Sequence, residues 1–151
     1  MTPNVTCVGM DINKTMLKLA KLELQKTDYS GQVCFINASV EALPYADKSF
    51  DMVVSLISIY QWNYRLQGCR EIYRVLKDKC VALIIVDSQH MSNDKSGLSL
   101  NKDIRKLIRS AGFQNIITLN QKWPSMPPKF KFDYLKPSSS LIGLLLVIGC
   151  K

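Results

Sequence analysis

Three stretches hold residues whose types and order could bind a ligand. The first is Val8-Gly9-Met10-Asp11-Ile12, where apolar, strand-like sequence ends on a carboxylate. At the C-terminal end of a parallel strand, such a residue stands at the rim where open α/β sheets take up ligands, and one carboxylate accepts both hydrogen bonds of a ribose diol. Asp11 equally suits the start of the helix that follows, where negative charge is favoured, and the local sequence leaves both roles open. The second stretch is Glu41-Ala42-Leu43-Pro44-Tyr45, running on to Asp47-Lys48-Ser49-Phe50-Asp51. The third is Glu71-Ile72-Tyr73-Arg74-Val75-Leu76-Lys77, which leads into an apolar run and Asp87. His90, the sole histidine, follows that run and could face the same rim, although a solvated loop position is the commoner fate of such a residue. No Ser-His-Asp or Cys-His arrangement and no metal-ligand cluster stands out, and no catalytic base can be named.

Positioning these residues requires alternating strands and helices, and the hydrophobic pattern supplies them. Residues 5–12 (VTCVGMDI) read as a strand, with Asn13 as N-cap of a helix in which Met16, Leu17, Ala20 and Leu24 recur at helical spacing. Residues 32–36 (QVCFI) and 50–57 (FDMVVSLI) read as the next strands, with a short helical turn at 40–43 ending at Pro44. A helix is expected over 66–77, with Leu66, Cys69, Tyr73 and Leu76 on one face. The nearly continuous apolar run at 80–86 (CVALIIV) suits a strand covered on both faces. A helix at 100–111 with Gly112 at C′, a strand at 113–119, a proline-rich connection at 123–137 and a last strand at 141–148 complete the chain. Strands alternating with helices imply a mostly parallel sheet, and the last two strands, with no helix between them, can pair antiparallel.

Composition narrows the function classes. The 151 residues fit one domain, 47% of them apolar, enough for a real core. Twenty Lys and Arg against 12 Asp and Glu give a formal charge of +8, but the cations are scattered and no groove-reading motif accompanies them, which argues against nucleic acid as the partner. Five cysteines without CxxC spacing, with Cys7, Cys34 and Cys80 in strand-like runs, favour buried free thiols over a disulfide framework. The apolar run at 141–149 is shorter than the ~20 residues a bilayer span needs. No charged-then-apolar leader opens the sequence, and the expected location is cytoplasmic.

In this order and spacing, the three stretches resemble the ubiquinone/menaquinone-biosynthesis-like group of class I S-adenosylmethionine-dependent methyltransferases (methyltransferase type 11). That family shows a strand ending G-x-D before a helix with a Met-Leu pair, matched by Gly9, Asp11, Met16 and Leu17. It continues with a stretch like A-E-x-L-P-F-x-D-x-S-F-D, matched from Val40 to Asp51, and with E-x-x-R-V-L-K-P-G-G, matched from Glu71 to Lys77. The ending LLLVIGCK (residues 144–151) is similar to the family's terminal strand. The resemblance implies an α/β, Rossmann-like sheet in the order 3-2-1-4-5-7-6 with an antiparallel last strand. It implies S-adenosylmethionine as cofactor and a small-molecule methyl acceptor. By the same resemblance Asp11 would bind the ribose hydroxyls, Ile12 would pack on the adenine, and Ser39 and Val40 would border the base. Ser55 and Leu56 would border the methionine end, while Tyr60 and Trp62 would line the substrate side. Ile12 and Leu56 could instead be plain core, and Tyr60 and Trp62 plain packing aromatics.

The sequence departs from this pattern in three places. Only four residues precede Val5, where the family carries a first strand, a glycine-rich turn and a helix, so the resemblance implies a domain lacking its first strand and helix. Ser39 stands where an acidic residue usually meets the adenine amino group. Asp78-Lys79-Cys80 replaces the Pro-Gly-Gly turn. The absent strand belongs between those at 5–12 and 50–57. An unsatisfied buried backbone group costs ~1–3 kcal/mol, against a net stability of only ~5–15 kcal/mol, so an open, dry gap is untenable. The expectation is that the two flanking strands close together, giving the order 3-2-4-5-7-6, the other resolutions being a second polypeptide that supplies the strand or a marginally folded chain.

Overall fold

The computed structural model describes residues 6–28, 32–87, 102–122 and 143–150. In chain order the elements are β1 (Thr6–Asp11), α1 (Lys14–Gln25), β2 (Gln32–Asn37), β3 (Phe50–Leu56), a 3-10 turn (Ile59–Gln61), α2 (Arg65–Val75), β4 (Leu76–Asp87), α3 (Lys102–Ser110), β5 (Gln114–Lys122) and β6 (Gly143–Cys150). The strand and helix alternation expected from the hydrophobic pattern is present, with boundaries displaced by a few residues. His90 and the proline-rich stretch at 123–137 lie outside the described residues.

Local chemistry accounts for the element ends. The Asn13 side chain accepts hydrogen bonds from the Thr15 and Met16 amides (2.9 and 3.4 Å), which satisfies two of the donors a helix start leaves free. At the end of α3, the Gly112 amide donates to Arg109 and the Phe113 amide to Ile108, the paired bonds of a Schellman motif. That motif needs a left-handed residue, and Gly112 has φ 111°. Space demands glycine there as well, because a β-carbon would stand 3.1 Å from the Tyr73 ring. Lys79 also has positive φ (60°), so the turn into the body of β4 keeps a left-handed residue at a position where the family pattern has glycine.

The strands form two sheets rather than one: β1 pairs with β2, and a second sheet runs β3-β4-β6-β5. β1–β2 and β3–β4 are parallel, whereas β6 is antiparallel to both β4 and β5. This is the implied order with its first strand left out, and it corrects one expectation: β1 and β3 do not close together. Each sheet keeps its own crossover unit, β1-α1-β2 or β3-α2-β4. The loop between β2 and β3 is bonded to α2 so that the two units stay apart, as described below.

The core lies on one face of the four-stranded sheet. Cys69 and Ile72 of α2 and Ile104 and Ile108 of α3 pack there against Ala82, Ile84 and Val86 of β4, with Ile59, Ala111 and Phe113 filling the edges. Tyr73 and Phe113 meet edge to face at 5.1 Å. The opposite face corrects a second expectation. Met52, Val54 and Leu56 of β3 are more than half exposed, and their register partners Val81, Leu83 and Ile85 are only partly covered. β4 is therefore not sandwiched among the described residues. Cys7 and Cys34 are exposed free thiols rather than buried ones, because the two-stranded sheet has little packed over it; Cys69 is the buried one, and burial pushes its thiol up to about 12.

Gly112→Ala tests the α3 terminus. The substitution meets both the left-handed φ and the Tyr73 ring, and should cost ~1–3 kcal/mol in urea unfolding, with a weakened tyrosine signal in near-ultraviolet circular dichroism.

Candidate functional site

A cleft of about 410 Å³ opens between the two sheets, within the range that small-molecule sites occupy. β1 contributes Val8, Met10 and Asp11, and β3 contributes residues from Phe50 to Leu56. The loop after β2 adds Ala38 to Glu41, and Trp62 and Asn63 close the end toward α2. Of the residues expected to form a site, Asp11, Ile12, Ser39, Val40, Ser55, Leu56 and Trp62 all line this cleft, whereas Tyr60 packs against the core instead.

Asp11 ends β1 opposite Asn37 of β2. One carboxylate oxygen accepts the Asn13 amide (2.8 Å), so the residue does hold the entry to α1, while Asn13 itself is the cap. The second carboxylate oxygen has no hydrogen-bond partner among the described residues. Its backbone carbonyl accepts from the Ala38 amide and, with that of Ile12, from the Asn37 side chain (2.9 and 2.8 Å). Asn37 was not singled out in the sequence. It fixes the rim by binding two carbonyls that have run out of strand partners. Ile12 and Leu56 are 65% and 52% exposed, so neither is plain core.

On the facing side, the Ser39 hydroxyl accepts the Glu41 amide (3.2 Å) and the Ser39 carbonyl accepts the Ala42 amide, making a tight turn at the cleft. Ser55 is buried, its hydroxyl 2.9 Å from that of Ser58. Between them Ile57 has φ 52°, a left-handed conformation that is unusual for a β-branched residue and stores ~1–3 kcal/mol where it occurs. That twist turns the chain out of β3 so that Ser58, Gln61 and Trp62 reach the cleft. Trp62 lies flat on α2: a β-carbon at Gly68 would stand 2.7 Å from its ring and 3.2 Å from Val40. Gly68, also missed in the sequence, thus seats both cleft residues on the helix.

The loop itself is held by charge. Glu41 accepts the Tyr64 amide at the start of α2 (2.8 Å). Glu71 accepts the Leu43 amide (2.8 Å) and two bonds from Arg74. Arg74 also donates to the carbonyls of Leu43 and Tyr45 and to Asp47. The Arg74 guanidinium, together with the Leu43 amide, holds the Glu71 carboxyl below the usual carboxylate range against the opposing effect of burial. Two outer ion pairs, Lys48–Asp78 and Lys77–Asp51, are solvent-exposed and contribute little. Tyr45 meets Phe50 edge to face at 4.7 Å, and its buried hydroxyl has no partner among the described residues.

Two substitutions test this geometry. Glu71→Gln should cost ~1.5–3 kcal/mol at neutral pH, the range for hydrogen bonds to charged groups. Because the folded-state carboxyl is depressed, its stabilisation is full above the ordinary carboxylate pKa and is lost as pH falls through the lower folded value. The wild-type chain should therefore lose more urea stability on acidification than the glutamine variant. Gly68→Ala should shift the tryptophan emission by displacing Trp62, at a position where alanine otherwise favours a helix by about 1 kcal/mol.

Comparison with known proteins places this geometry. Residues 2–84 match the family described as methyltransferase domain. The ubiquinone/menaquinone biosynthesis C-methyltransferase UbiE of Geotalea uraniireducens is 33% identical over 82 residues, 54% of this chain and 35% of that protein. The chain thus spans about a third of the length of that relative. Among solved structures, a SAM-dependent methyltransferase of Thermotoga maritima superposes with TM-score 0.67 at 18% identity, over 95% of this chain and 72% of that one. The [4+2]-cyclase SpnF gives TM-score 0.72 at 19% identity, over 97% and 67%; at such identities the likeness concerns fold alone. By its sequence the chain belongs to the methyltransferase-domain family, and its fold is the Rossmann-like one of class I S-adenosylmethionine-dependent methyltransferases.

Proposed function

We propose that this chain carries the nucleoside-binding side of an S-adenosylmethionine-dependent methyltransferase that acts on a small-molecule acceptor. The observation that carries it is the Asp11 carboxylate at the strand end, one oxygen spent on the Asn13 amide and the other without a hydrogen-bond partner among the described residues, in the lining of a cleft that Ser39 and Val40 share. A ribose diol fits that free oxygen. The exposed Ile12 side chain offers an apolar surface to the base, and the turn at Ser39–Val40 borders it, the Ser39 hydroxyl as an acceptor in place of a carboxylate. Ser55 and Leu56 lie toward the methionine end, and Trp62 toward the acceptor. The cofactor, when bound, supplies a methyl group on a sulfonium, and transfer in line asks of the protein chiefly proximity and orientation. The relative's name, a C-methyltransferase, makes a carbon nucleophile the first acceptor to test. No helix among the described residues is long and apolar enough to cross a membrane, and a cytoplasmic setting suits the free thiols.

A second reading, a degenerate and non-catalytic methyltransferase-like unit, draws on one specific feature: among the described residues β1 and β3 border one cleft without pairing to each other. Calorimetry separates the two. Titration with S-adenosylmethionine and S-adenosylhomocysteine should give saturable heat that Asp11→Ala weakens by roughly 10–100-fold, the equivalent of ~1.5–3 kcal/mol for hydrogen bonds to a charged group. No heat at millimolar ligand leaves the non-catalytic reading.

A further inference from the structure

We propose that the outward face of α1 is a docking surface for an anionic lipid bilayer. The inward face of the helix packs on β1 and β2, with Leu17 buried and Met16, Ala20 and Leu24 half-buried. At 100° of turn per residue, Leu22 stands about 140–160° around the helix from Leu17, Ala20 and Leu24, and so points away from the sheet. Leu22 is 53% exposed and Leu19, three residues before it, 45%. Residues three apart are neighbours on a helix surface, so the two leucines make one apolar patch. An element laid beside α1 would cover its flanks and leave this line open.

The charges beside the patch set the chemistry of the occupant. Lys14, Lys18 and Lys21 are exposed and follow one another at helical spacing, in a band about 60° wide next to the leucines. Glu23, the acidic residue of the helix, is already taken by Lys26 at 2.6 Å. The other three lysines have no ion-pair partner among the described residues, and the chain as a whole carries +8. Leucine tips that enter just below the headgroups, beside ammonium groups that meet lipid phosphates and carboxylates, are what holds a helix in a bilayer interface. The long lysine stems let the charges stay at the headgroup level while the helix settles. A protein groove is the poorer occupant, since it takes a longer run of apolar anchors, and Thr15 and Lys26 hold the next positions along the line of Leu19 and Leu22. A nucleic acid would meet the lysines and leave the leucines without use. α1 starts directly after Asp11 and Asn13, so a docked helix keeps the cleft rim within its own length, ~18 Å, of the lipid surface.

The test is flotation of the purified 151-residue chain, without cofactor, on vesicles of phosphatidylcholine alone or of equal parts phosphatidylcholine and phosphatidylserine. The chain should float with the anionic vesicles only, and less so at high salt. Replacing Lys14, Lys18 and Lys21 together by glutamine should weaken binding roughly 100-fold, at about fivefold per lysine. Leu22→Gln should weaken it roughly tenfold, through the lost insertion of one leucine. All four side chains are exposed, and far-ultraviolet circular dichroism checks that each variant folds as the wild type does. Lys106→Gln combined with Arg109→Gln, exposed on α3, should leave binding unchanged. No flotation with anionic vesicles, equal flotation with neutral ones, an equal loss from the α3 variant, or a lysine effect that Leu22→Gln does not share would each overturn the proposal, the last by marking general electrostatic adsorption. The inference goes beyond the proposed function and does not rest on it. Failure to bind S-adenosylmethionine in calorimetry leaves the lipid surface standing, and failure to float leaves the cofactor reading standing.

Discussion

The ion pair of Glu71 and Arg74 is the contact on which the arrangement of this molecule depends. It lies on one turn of α2, yet nearly all its hydrogen bonds leave the helix. Between them the two side chains hold the amide and carbonyl of Leu43, the carbonyl of Tyr45 and the carboxylate of Asp47. A loop of this kind has few backbone partners of its own, and an unpaired amide or carbonyl in a half-buried site costs as much as a lost hydrogen bond. Charge-assisted bonds are the stronger kind, and here they are spent on backbone rather than on other side chains. The loop therefore cannot slide along α2 without stranding several polar groups together.

That constraint explains why β1 and β3 stand apart. β2 runs into the clamped loop, and β1 is bonded to β2 along its whole length. Bringing β1 against β3 would drag β2 and the loop across α2, breaking the Glu71–Arg74 contacts and lifting Val40 and Trp62 off Gly68. The gain would be one new ladder between two short strands. An intramolecular hydrogen bond nets only about 1 kcal/mol, so the clamp and the packing hold. The consequence is a cleft whose rim is ordered while its walls are open. Asp11 is fixed by Asn13 and Asn37, and Ser39 by its own turn, independently of whatever lies between the sheets.

Much of this was legible in the sequence, and what was missed has a common cause. Helical spacing and apolar runs gave every described α-helix and strand though not the 3-10 turn at Ile59–Gln61, and Asn13 and Gly112 gave the ends of two helices, because these signals are local. The conjunction of Asp11 with Val40 was what the family resemblance implied, and both line the cleft. The closing of the gap was expected on energetic grounds that counted the unpaired edges but not the bonds resisting closure. Those bonds join residues some thirty positions apart, and nothing in either stretch alone announces that Glu71 and Arg74 meet Leu43 to Asp47. Gly68 and Asn37 escaped for the same reason: each acts on a neighbour brought close only by the fold. The exposure of Cys7 and Cys34 escaped because an apolar run reveals that a strand has a buried side, not whether a second layer covers it.

Asp11 shows how two readings of one residue can both hold. A carboxylate has two oxygens and about four acceptor sites, so accepting the Asn13 amide with one oxygen does not withdraw the other from a ligand. The bond at the helix entry also suits the role proposed for the other oxygen. With one oxygen tied to the Asn13 amide and the carbonyl held by Asn37, the side chain loses the freedom it would otherwise surrender on binding. Orientation of this sort is inexpensive only when set beforehand. The rim is set by contacts within β1, β2 and the clamped loop, so its form does not depend on what occupies the rest of the cleft.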